Sequence, residues 1–283
     1  MSGTLYLCAT PIGNLEDISY RVVRTLGEVD LIAAEDTRHS RGLLEHFGIG
    51  TPLTSYHEHN KYEKAEELVG RLLAGDDIAL VTDAGTPVIS DPGEVLVQAC
   101  YEAGVKVTSL PGPCALITAL TLSGISGRRF VFEGFLPMEN KERKAVLASL
   151  KDEERTMILY EAPHRLNRTL EELEQTLGPR RMRLCRELTK LHEEAAAFTL
   201  SEARAWYAEH EPRGEYVLVL EGRSKEEKEE EKKASFEKMS PEEHLELYLS
   251  RGMDKKEAMK KMAEDRGCSR RDIYRQLCVE EKK

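Results

Sequence analysis

The stretch from Ile78 to Gly93 constrains the fold of this chain more than any other. Residues 78–81 are aliphatic and begin and end with β-branched side chains, which predicts a short, buried, parallel strand. Residues 83–93 carry two glycines and two prolines, so they cannot extend the strand or start a helix at once. Open α/β sheets bind ligands at loops of this kind, at the carboxyl ends of strands. For this loop alone, a ligand-free strand–helix connection remains an equal alternative.

Two further predicted strands run into loops of small residues. Leu5–Ala9 leads into Thr10–Leu15, and Val105–Leu110 leads into Pro111–Ala115. Strands alternate with helices up to about residue 115, which predicts a doubly wound parallel sheet. The three loops should therefore meet at one edge, where small side chains let a backbone approach a ligand closely. The chain lacks GxGxxG and GxxxxGK[ST] motifs, so no phosphate cradle is expected.

Polar residues follow two other elements of this half. The predicted strand Val29–Ala34 ends in Glu35–Arg38, where Asp36 is either a helix cap or a site residue. His57 and His59 flank a glutamate, but their spacing does not place them on one helix face and no second ligand pair follows. We therefore expect no metal here, and interpret this segment as a polar substrate-facing or capping loop.

The pattern of predicted elements changes after residue 116. Strands now follow one another more often, which predicts a mixed-sheet domain over residues 117–223 after a first domain over residues 1–116. Residues 224–239 are a charged linker that could be helical or disordered. Residues 240–283 then contain two amphipathic helices, a Gly267 turn and a third helix capped by Ser269, which resembles a helix-turn-helix. A solvated helical hairpin that packs or dimerises is the alternative for this tail.

The formal charge of −10 argues against a polyanionic partner only on average. Residues 251–276 hold nine Lys or Arg against five Asp or Glu, and residues 180–186 hold four arginines, so basic patches remain. The six cysteines show no CxxC spacing, which favours a reducing, cytoplasmic location. No apolar run approaches the ~18 residues of a membrane span, and no signal peptide is expected from residues 1–13.

A series of motifs resembles one known family. They are, in order between Thr10 and Val219, TPIGNLEDIS, EDTR, DAGTPVISDPG, PGPCA, GFLP, YEAPHR, RELTKLHEE and GEYVLV. Together they resemble the branch of the tetrapyrrole methylase superfamily that methylates the 2′-hydroxyl of a cytidine in small-subunit ribosomal RNA. The resemblance covers residues 4–222 and implies a two-domain α/β fold, a parallel doubly wound sheet plus a mixed-sheet domain. The basic helical tail is similar to one found in part of the family.

The resemblance implies S-adenosylmethionine in the cleft between the two domains. The cofactor-binding residues that it implies are Pro11, Asp83, Ala84, Gly85, Thr86, Ile89, Cys114, Ala115, Glu161, Leu188 and Gly214. Gly85 and Ala115 should present backbone groups to the cofactor, and Ile89 should cover its adenosine. A homodimer is also implied.

A ribose hydroxyl is a poor nucleophile until its proton is drawn away, so a basic side chain near the cleft would help. The candidate catalytic residues are Asp36, Lys190 and His57, with Glu193 as the residue that orients Lys190. We expect the ribosomal RNA phosphates to be contacted by arginines. They are Arg38, Arg165, Arg168, Arg180, Arg181, Arg270, Arg271 and Arg275.

Two other functions remain open at this stage. A tetrapyrrole C-methyltransferase would share the fold, but its porphyrinogen substrate asks for a wide basic trough and no nucleic-acid module. A non-catalytic RNA-binding assembly factor with a vestigial pocket would keep the tail, but the intact small-residue loops argue against it.

Overall fold

Ten strands and twelve α-helices make up residues 2–280, the part of the chain that the computed structural model describes, without the side chains of residues 225, 231, 232, 237 and 278–280. The strands are β1 (Thr4–Cys8), β2 (Leu31–Ala34), β3 (Leu53–Ser55), β4 (Ile78–Val81), β5 (Lys106–Leu110), β6 (Phe130–Phe135), β7 (Thr156–Glu161), β8 (Arg181–Arg186), β9 (Glu194–Thr199) and β10 (Tyr216–Leu220). The helices are α1 (Tyr20–Glu28), α2 (Thr37–His46), α3 (Lys61–Ala74), α4 (Gly93–Glu102), α5 (Ala115–Ser123), α6 (Asn140–Leu150), α7 (Pro163–Leu177), α8 (Leu200–Glu209), α9 (Lys225–Glu237), α10 (Pro241–Leu249), α11 (Lys255–Arg266) and α12 (Arg270–Glu280). Residues 1–222 form one unit and residues 223–283 a second.

The first half of the larger unit is a parallel sheet with strand order β3-β2-β4-β1-β5. Helices α3 and α4 cover one face, where Leu68, Leu72 and Leu96 are fully buried. Helices α1 and α2 cover the other face through residues such as Val22 and Leu26. Both faces are therefore apolar, as a sheet covered on two sides requires. The predicted doubly wound sheet is confirmed.

The second half is a mixed sheet with strand order β6-β7-β10-β8-β9. Strands β6 and β7 are parallel, and the other neighbours are antiparallel. Helices α6, α7 and α8 bury leucines against one face, and α5 packs on the other beside Leu188 and Val217. The two sheets belong to one unit, whereas the sequence suggested two domains that meet near residue 116.

The largest difference from the predicted elements in the first half is β3. Its three residues follow Pro52 and are only partly buried, so neither length nor apolar periodicity marks it as a strand. It pairs with β2 at the edge of the sheet. Most other boundaries lie within a few residues of their predicted positions.

The smaller unit contains α9 to α12. Tyr248, Ala258, Met262 and Ile273 form its buried core, and Gly267 ends α11 in the left-handed conformation. The predicted charged linker is largely the helix α9, and its Phe236 ring stacks on the His244 ring of α10 with centroids 4.0 Å apart. The stretch therefore packs with the tail instead of only connecting to it. None of the helices in residues 2–280 is long and apolar enough to cross a membrane.

Candidate functional site

The carboxyl ends of the parallel strands meet at one edge, as the sequence predicted. The loop after β1 and the loop after β4 are joined there, because Thr10 and Gly85 exchange two backbone hydrogen bonds of 2.9 and 3.0 Å. The loop after β5 joins them through the Thr86 hydroxyl, which donates to the carbonyl of Pro113 at 2.9 Å. The Gly85 N–H is therefore bound to Thr10, whereas its carbonyl oxygen keeps a second lone pair, so that Gly85 presents a backbone group to the cofactor stays a prediction.

A cavity of about 480 Å³ lies between this edge and the mixed sheet. Its lining includes nine of the eleven predicted cofactor residues, namely Asp83, Ala84, Gly85, Thr86, Ile89, Cys114, Ala115, Glu161 and Leu188. Pro11 and Gly214 are not in the lining, although their chain neighbours Ile12 and Glu215 are. A second group of lining residues was not predicted from the sequence: Glu35, Ser90, Phe135, Tyr160, Glu187, Tyr216 and Val217. Most of these come from the mixed sheet.

Two loops beside the cavity hold strained backbone. Within residues 2–280, the non-glycine residues with clearly positive φ are Val88 (76°), Ser90 (64°), Glu187 (50°) and Thr189 (65°). Such conformations are unfavourable for side chains with a Cβ, above all for β-branched valine. The Asp91 carboxylate stabilises the first loop by accepting hydrogen bonds from Val88 N (2.7 Å) and Gly93 N (2.8 Å). Strain that concentrates at one cavity is typical of functional sites.

Glu161 places a buried carboxylate at the end of β7, on the cavity wall. It is 1% exposed and accepts hydrogen bonds from Thr169 Oγ1 (2.5 Å) and Ala162 N (2.9 Å). Arg165 Nε lies 3.3 Å from its Oε1, which compensates a charge that would be costly to bury alone. Arg165 is thus mostly buried and paired, and its second contact is a hydrogen bond to the carbonyl of Leu136. This role corrects its assignment to RNA phosphates.

Lys190 enters the cavity from the strained loop after β8. Its Nζ lies 2.9 Å from Glu187 Oε1 and 3.7 Å from Glu215 Oε2. The hydrogen bond from Lys190 lowers the pKa of Glu187 below its usual range. Glu193 does not orient Lys190, because its carboxylate accepts the Thr189 N–H at 2.7 Å. The predicted orienting residue was therefore wrong, and Glu187 takes its place.

The loop after β1 packs closely on this lysine. A Cβ atom built at Gly13 would come within 2.4 Å of Lys190 Cγ and 2.9 Å of the Leu188 carbonyl oxygen. Only glycine leaves room for this contact. Gly13, in the loop after β1, thus leaves the space in which the Lys190 side chain packs.

Asp36 is a helix cap. Its carboxylate accepts the Arg38 N–H at 2.8 Å and also binds the Arg38 guanidinium at 2.8 Å. These hydrogen bonds hold the pKa of Asp36 far below its usual range, which makes it a weak base. Asp36 does not line the cavity either, so the structure contradicts a general-base role.

His57 also lies outside the cavity lining. Its backbone N–H donates to Asn60 Oδ1 at 2.8 Å, and its ring centroid is 6.0 Å from that of His59. Within residues 2–280, no group of three or more His, Cys, Asp or Glu side chains is arranged to hold a metal ion. The histidine pair thus belongs to the turn before α3.

The predicted RNA-binding arginines differ in exposure. Arg180 is 6% exposed and donates to the carbonyl of Lys151 at 3.1 Å, so it cannot reach a phosphate and that prediction was wrong. The others, Arg165 apart, are exposed: Arg38, Arg168, Arg181, Arg270 and Arg271, with Arg275 in a weak pair with Asp272. Arg38 and Arg181 are also paired with carboxylates, of Asp36 and Glu221.

Comparison with known proteins agrees with this geometry. The family model described as Tetrapyrrole (Corrin/Porphyrin) Methylases matches residues 4–204. A protein named Ribosomal RNA small subunit methyltransferase I from Synechocystis is 50% identical over 279 residues, covering 98% of each chain. A protein of the same name from Halalkalibacterium halodurans is 49% identical over 272 residues, covering 96% of this chain and 93% of its own.

The fold is also shared with more distant solved structures. A uroporphyrin-III C-methyl transferase from Thermus thermophilus, complexed with S-adenyl homocysteine, superposes with a TM-score of 0.56 at 17% identity. The match covers 77% of this chain and 97% of that one. The chain therefore belongs to the tetrapyrrole methylase family and, within it, to the group of relatives named Ribosomal RNA small subunit methyltransferase I.

Proposed function

We propose that this protein is an S-adenosylmethionine-dependent methyltransferase of small-subunit ribosomal RNA, and that its acceptor is the 2′-hydroxyl of a cytidine ribose. The names of relatives that match 96–98% of the chain support the substrate class. The structural observation that carries the proposal is the cavity where three small-residue loops face the mixed sheet.

The charge of the cavity suits this methyl donor. Among the described lining residues, Lys190 is the one basic side chain, whereas five have carboxyl groups: Glu35, Asp83, Glu161, Glu187 and Glu215. Such a lining attracts a cationic ligand and repels polyphosphates. S-adenosylmethionine supplies a methyl group on a positively charged sulfur and has no phosphate, so the residues present fit it.

Other residues at the cavity suit the adenosine and the carboxylate of the donor. Ile89, Leu188 and Val217 offer apolar cover for an adenosine. Ala115 is the first residue of α5, so its N–H has no acceptor within the helix and is available to the ligand carboxylate. These residues bind and orient the donor without taking part in chemistry.

Lys190 is the residue that we assign to the acceptor side. Methyl transfer requires the 2′-oxygen in line with the sulfur–methyl bond at roughly 3–3.5 Å, and fixed positioning supplies much of the catalysis. The Lys190 side chain, held by Glu187 and Glu215, can donate a hydrogen bond to this oxygen as the hydroxyl proton passes to solvent water. Glu187 and Glu215 hold the Lys190 Nζ in place, so we assign it the role of hydrogen-bond donor to the acceptor oxygen.

Each of the two units has exposed arginines that are candidates for contacts to RNA phosphates. Arg38, Arg168 and Arg181 in the larger unit, and Arg270, Arg271 and Arg275 in the smaller one, are the proposed phosphate contacts. Such contacts position the RNA but carry no base information. Specificity therefore needs another element of the site.

A homodimer is part of the proposal. The helix α5 exposes Ile117 (45%) and Leu122 (43%), and Leu191 is 92% exposed. Large apolar side chains left exposed are candidates for an interface, and these three are the ones that we assign to it. Light scattering of the protein and of a Leu191→Glu, Leu122→Glu variant would test this, since an unchanged mass would exclude this surface.

The decisive experiment offers the protein methyl-labelled S-adenosylmethionine and unmethylated small ribosomal subunits. We expect label in the ribosomal RNA, recovered after nuclease digestion as 2′-O-methylcytidine. A parallel reaction offers uroporphyrinogen in place of the subunits, and label in uroporphyrinogen with none in RNA would indicate a tetrapyrrole methyltransferase instead. Absence of any heat of donor binding in calorimetry would mean that the pocket is vestigial and the protein is a binding factor.

A further inference from the structure

Strand β6 contains an irregularity beside the cavity. Its register against β7 shifts between Phe132 and Gly134, and Gly134 has a φ of +62°, in the left-handed region. This is a β-bulge, in which one extra residue bends the strand and changes the direction of the side chains that follow. Bulges next to active sites commonly serve to aim one side chain.

The side chain that this bulge redirects is Phe135. In a regular strand Phe132 and Phe135, three residues apart, would lie on opposite faces of the sheet. Here both pack edge-to-face on Tyr160, with ring centroids 4.9 and 5.6 Å away. The bulge thus brings Phe135 into the lining of the cavity, while leaving its side chain 49% exposed.

The ring that supports Phe135 is held in place. The Tyr160 hydroxyl accepts the Leu116 N–H at 3.0 Å, which ties the ring to the first turn of α5. Burial raises the pKa of Tyr160 to about 12, so the hydroxyl stays neutral in its apolar surroundings. Phe135 is therefore a half-exposed aromatic side chain on a fixed support at the cavity.

Cationic side chains lie on the elements that follow this strand. Arg168 is exposed, and its Nη2 donates to Oδ1 of Asn140, the first residue of α6, at 2.7 Å. Lys141 and Lys144 are exposed and three residues apart on α6, hence on one helix face. An aromatic ring together with exposed cations on the elements that follow it is the combination that binds single-stranded RNA.

We infer that Phe135 is the platform on which the base of the target nucleotide stacks, so that the cavity receives a pyrimidine nucleotide drawn out of the RNA. The inference rests on the proposed function and deepens it by assigning the base-binding part of the acceptor site. Stacking places the sugar of that nucleotide at the cavity, where Lys190 lies. The competing occupant of Phe135 is the adenine of the methyl donor, and the experiments below separate the two.

The first experiment compares Phe135→Leu with Phe135→Trp. We expect Phe135→Leu to raise the KM for unmethylated small subunits roughly tenfold to a hundredfold, the usual effect of losing one base–aromatic stack. Its calorimetric affinity for S-adenosylmethionine should stay within a factor of about three. Phe135→Trp should restore the KM, because stacking needs an aromatic face. Tyr101→Leu, at an exposed tyrosine of α4 outside the cavity lining, is the matched control.

The second experiment reads stacking directly. The chain has a single tryptophan, Trp206, so the double variant Trp206→Phe, Phe135→Trp carries its only indole at position 135. Short oligocytidylate RNA should quench this fluorescence in a saturable manner, and S-adenosylmethionine alone should not. Thermal midpoints of all variants establish that they fold.

The outcomes are distinguishable from failure of the proposed function. If the wild-type protein transfers no methyl group to small subunits, the proposed function fails. If it does so and Phe135→Leu weakens only the donor, or the indole responds to the donor and not to oligocytidylate, Phe135 covers the adenine and the inference is overturned. An unchanged KM in Phe135→Leu overturns it as well.

Discussion

The two sheets of the larger unit line the same cavity, but they contribute different kinds of residues to it. The parallel sheet provides mostly loops of small residues, and Thr10, Gly85 and Thr86 hold these loops together. The mixed sheet provides charged and aromatic side chains, among them Phe135 and Lys190. The difference suggests a division of labour in which the loops of the parallel sheet, with apolar cover from Leu188 and Val217, bind the methyl donor, and Phe135 and Lys190 of the mixed sheet position the acceptor.

The largest effect on activity is expected from removing the Lys190 amino group, on the mixed-sheet side of the cavity. We expect Lys190→Met to lower kcat roughly 100- to 1,000-fold, the usual result of losing one donor aimed at a developing negative charge. Single-turnover methylation measures this loss, while calorimetry should show donor affinity within about threefold of wild type. Lys190→Arg is the charge-preserving control. If donor affinity falls as much as the rate does, Lys190 binds the donor, and the proposed separation of donor and acceptor roles between the two sheets is wrong.

A change on the parallel-sheet side should affect the donor first. Gly85 has a φ of +88°, and a Cβ there would lie 3.3 Å from the side chain of Ile12. Because left-handed strain costs about 1–2 kcal/mol, Gly85→Ala should shift the loop and weaken donor binding roughly tenfold. Gly42→Ala in α2, where a Cβ meets nothing within 4 Å, is the matched control. Weaker RNA binding with intact donor affinity would contradict the division.

An arginine on the acceptor side should have a smaller effect. Arg168→Ala should weaken binding of a small-subunit RNA fragment a few-fold and reduce its salt dependence by about 0.7–0.9 of a slope unit, as for one lost phosphate contact. Arg204→Ala is a close control, since Arg204 is similarly exposed (52% against 54%) and pairs with Glu174 at 3.0 Å as Arg168 pairs with Glu172 at 2.9 Å. If the salt dependence of RNA binding is the same for Arg168→Ala and Arg204→Ala, Arg168 does not contact an RNA phosphate.

The smallest effect on function is expected at Arg180. Arg180→Met leaves carbonyl acceptors of the Lys151 segment without their buried donor and should lower the free energy of unfolding by about 1–3 kcal/mol. Arg181→Met, at its exposed neighbour, should change that free energy by less than about 0.5 kcal/mol. Urea denaturation measures both. A loss of RNA affinity in Arg180→Met at temperatures where it is folded would restore the original assignment.

The parallel half of the site was the easier half to predict. Here the structure depends on residues that are adjacent in the sequence, because each strand is followed at once by glycine and proline residues that form a loop. Parallel strands then bring these loops to one edge of the sheet. The position of the cavity and nine lining residues followed from this pattern. What the pattern left out was the pairing of Gly85 with Thr10, which depends on contacts between loops.

The mixed half was harder because its contacts depend on backbone geometry. Glu187 and Glu193 are both three residues from Lys190, and only the left-handed turns at Glu187 and Thr189 decide which carboxylate meets the lysine. Phe135 lines the cavity because of a one-residue bulge, which no periodicity in β6 reveals. Arg180 and Arg181 read as one basic patch in the sequence, although Arg180, just before β8, is buried and donates to the Lys151 carbonyl, whereas Arg181, the first residue of β8, is exposed.

The paired hydrogen bonds between Thr10 and Gly85 have a mechanical consequence. They join two loops of the parallel sheet, so a change in the position of one loop must carry the other with it. We therefore expect the cavity to adjust to its substrates mainly on the mixed-sheet side, in the turn at 187–190 and the bend at 133–137, which hold positive-φ residues and the bulge.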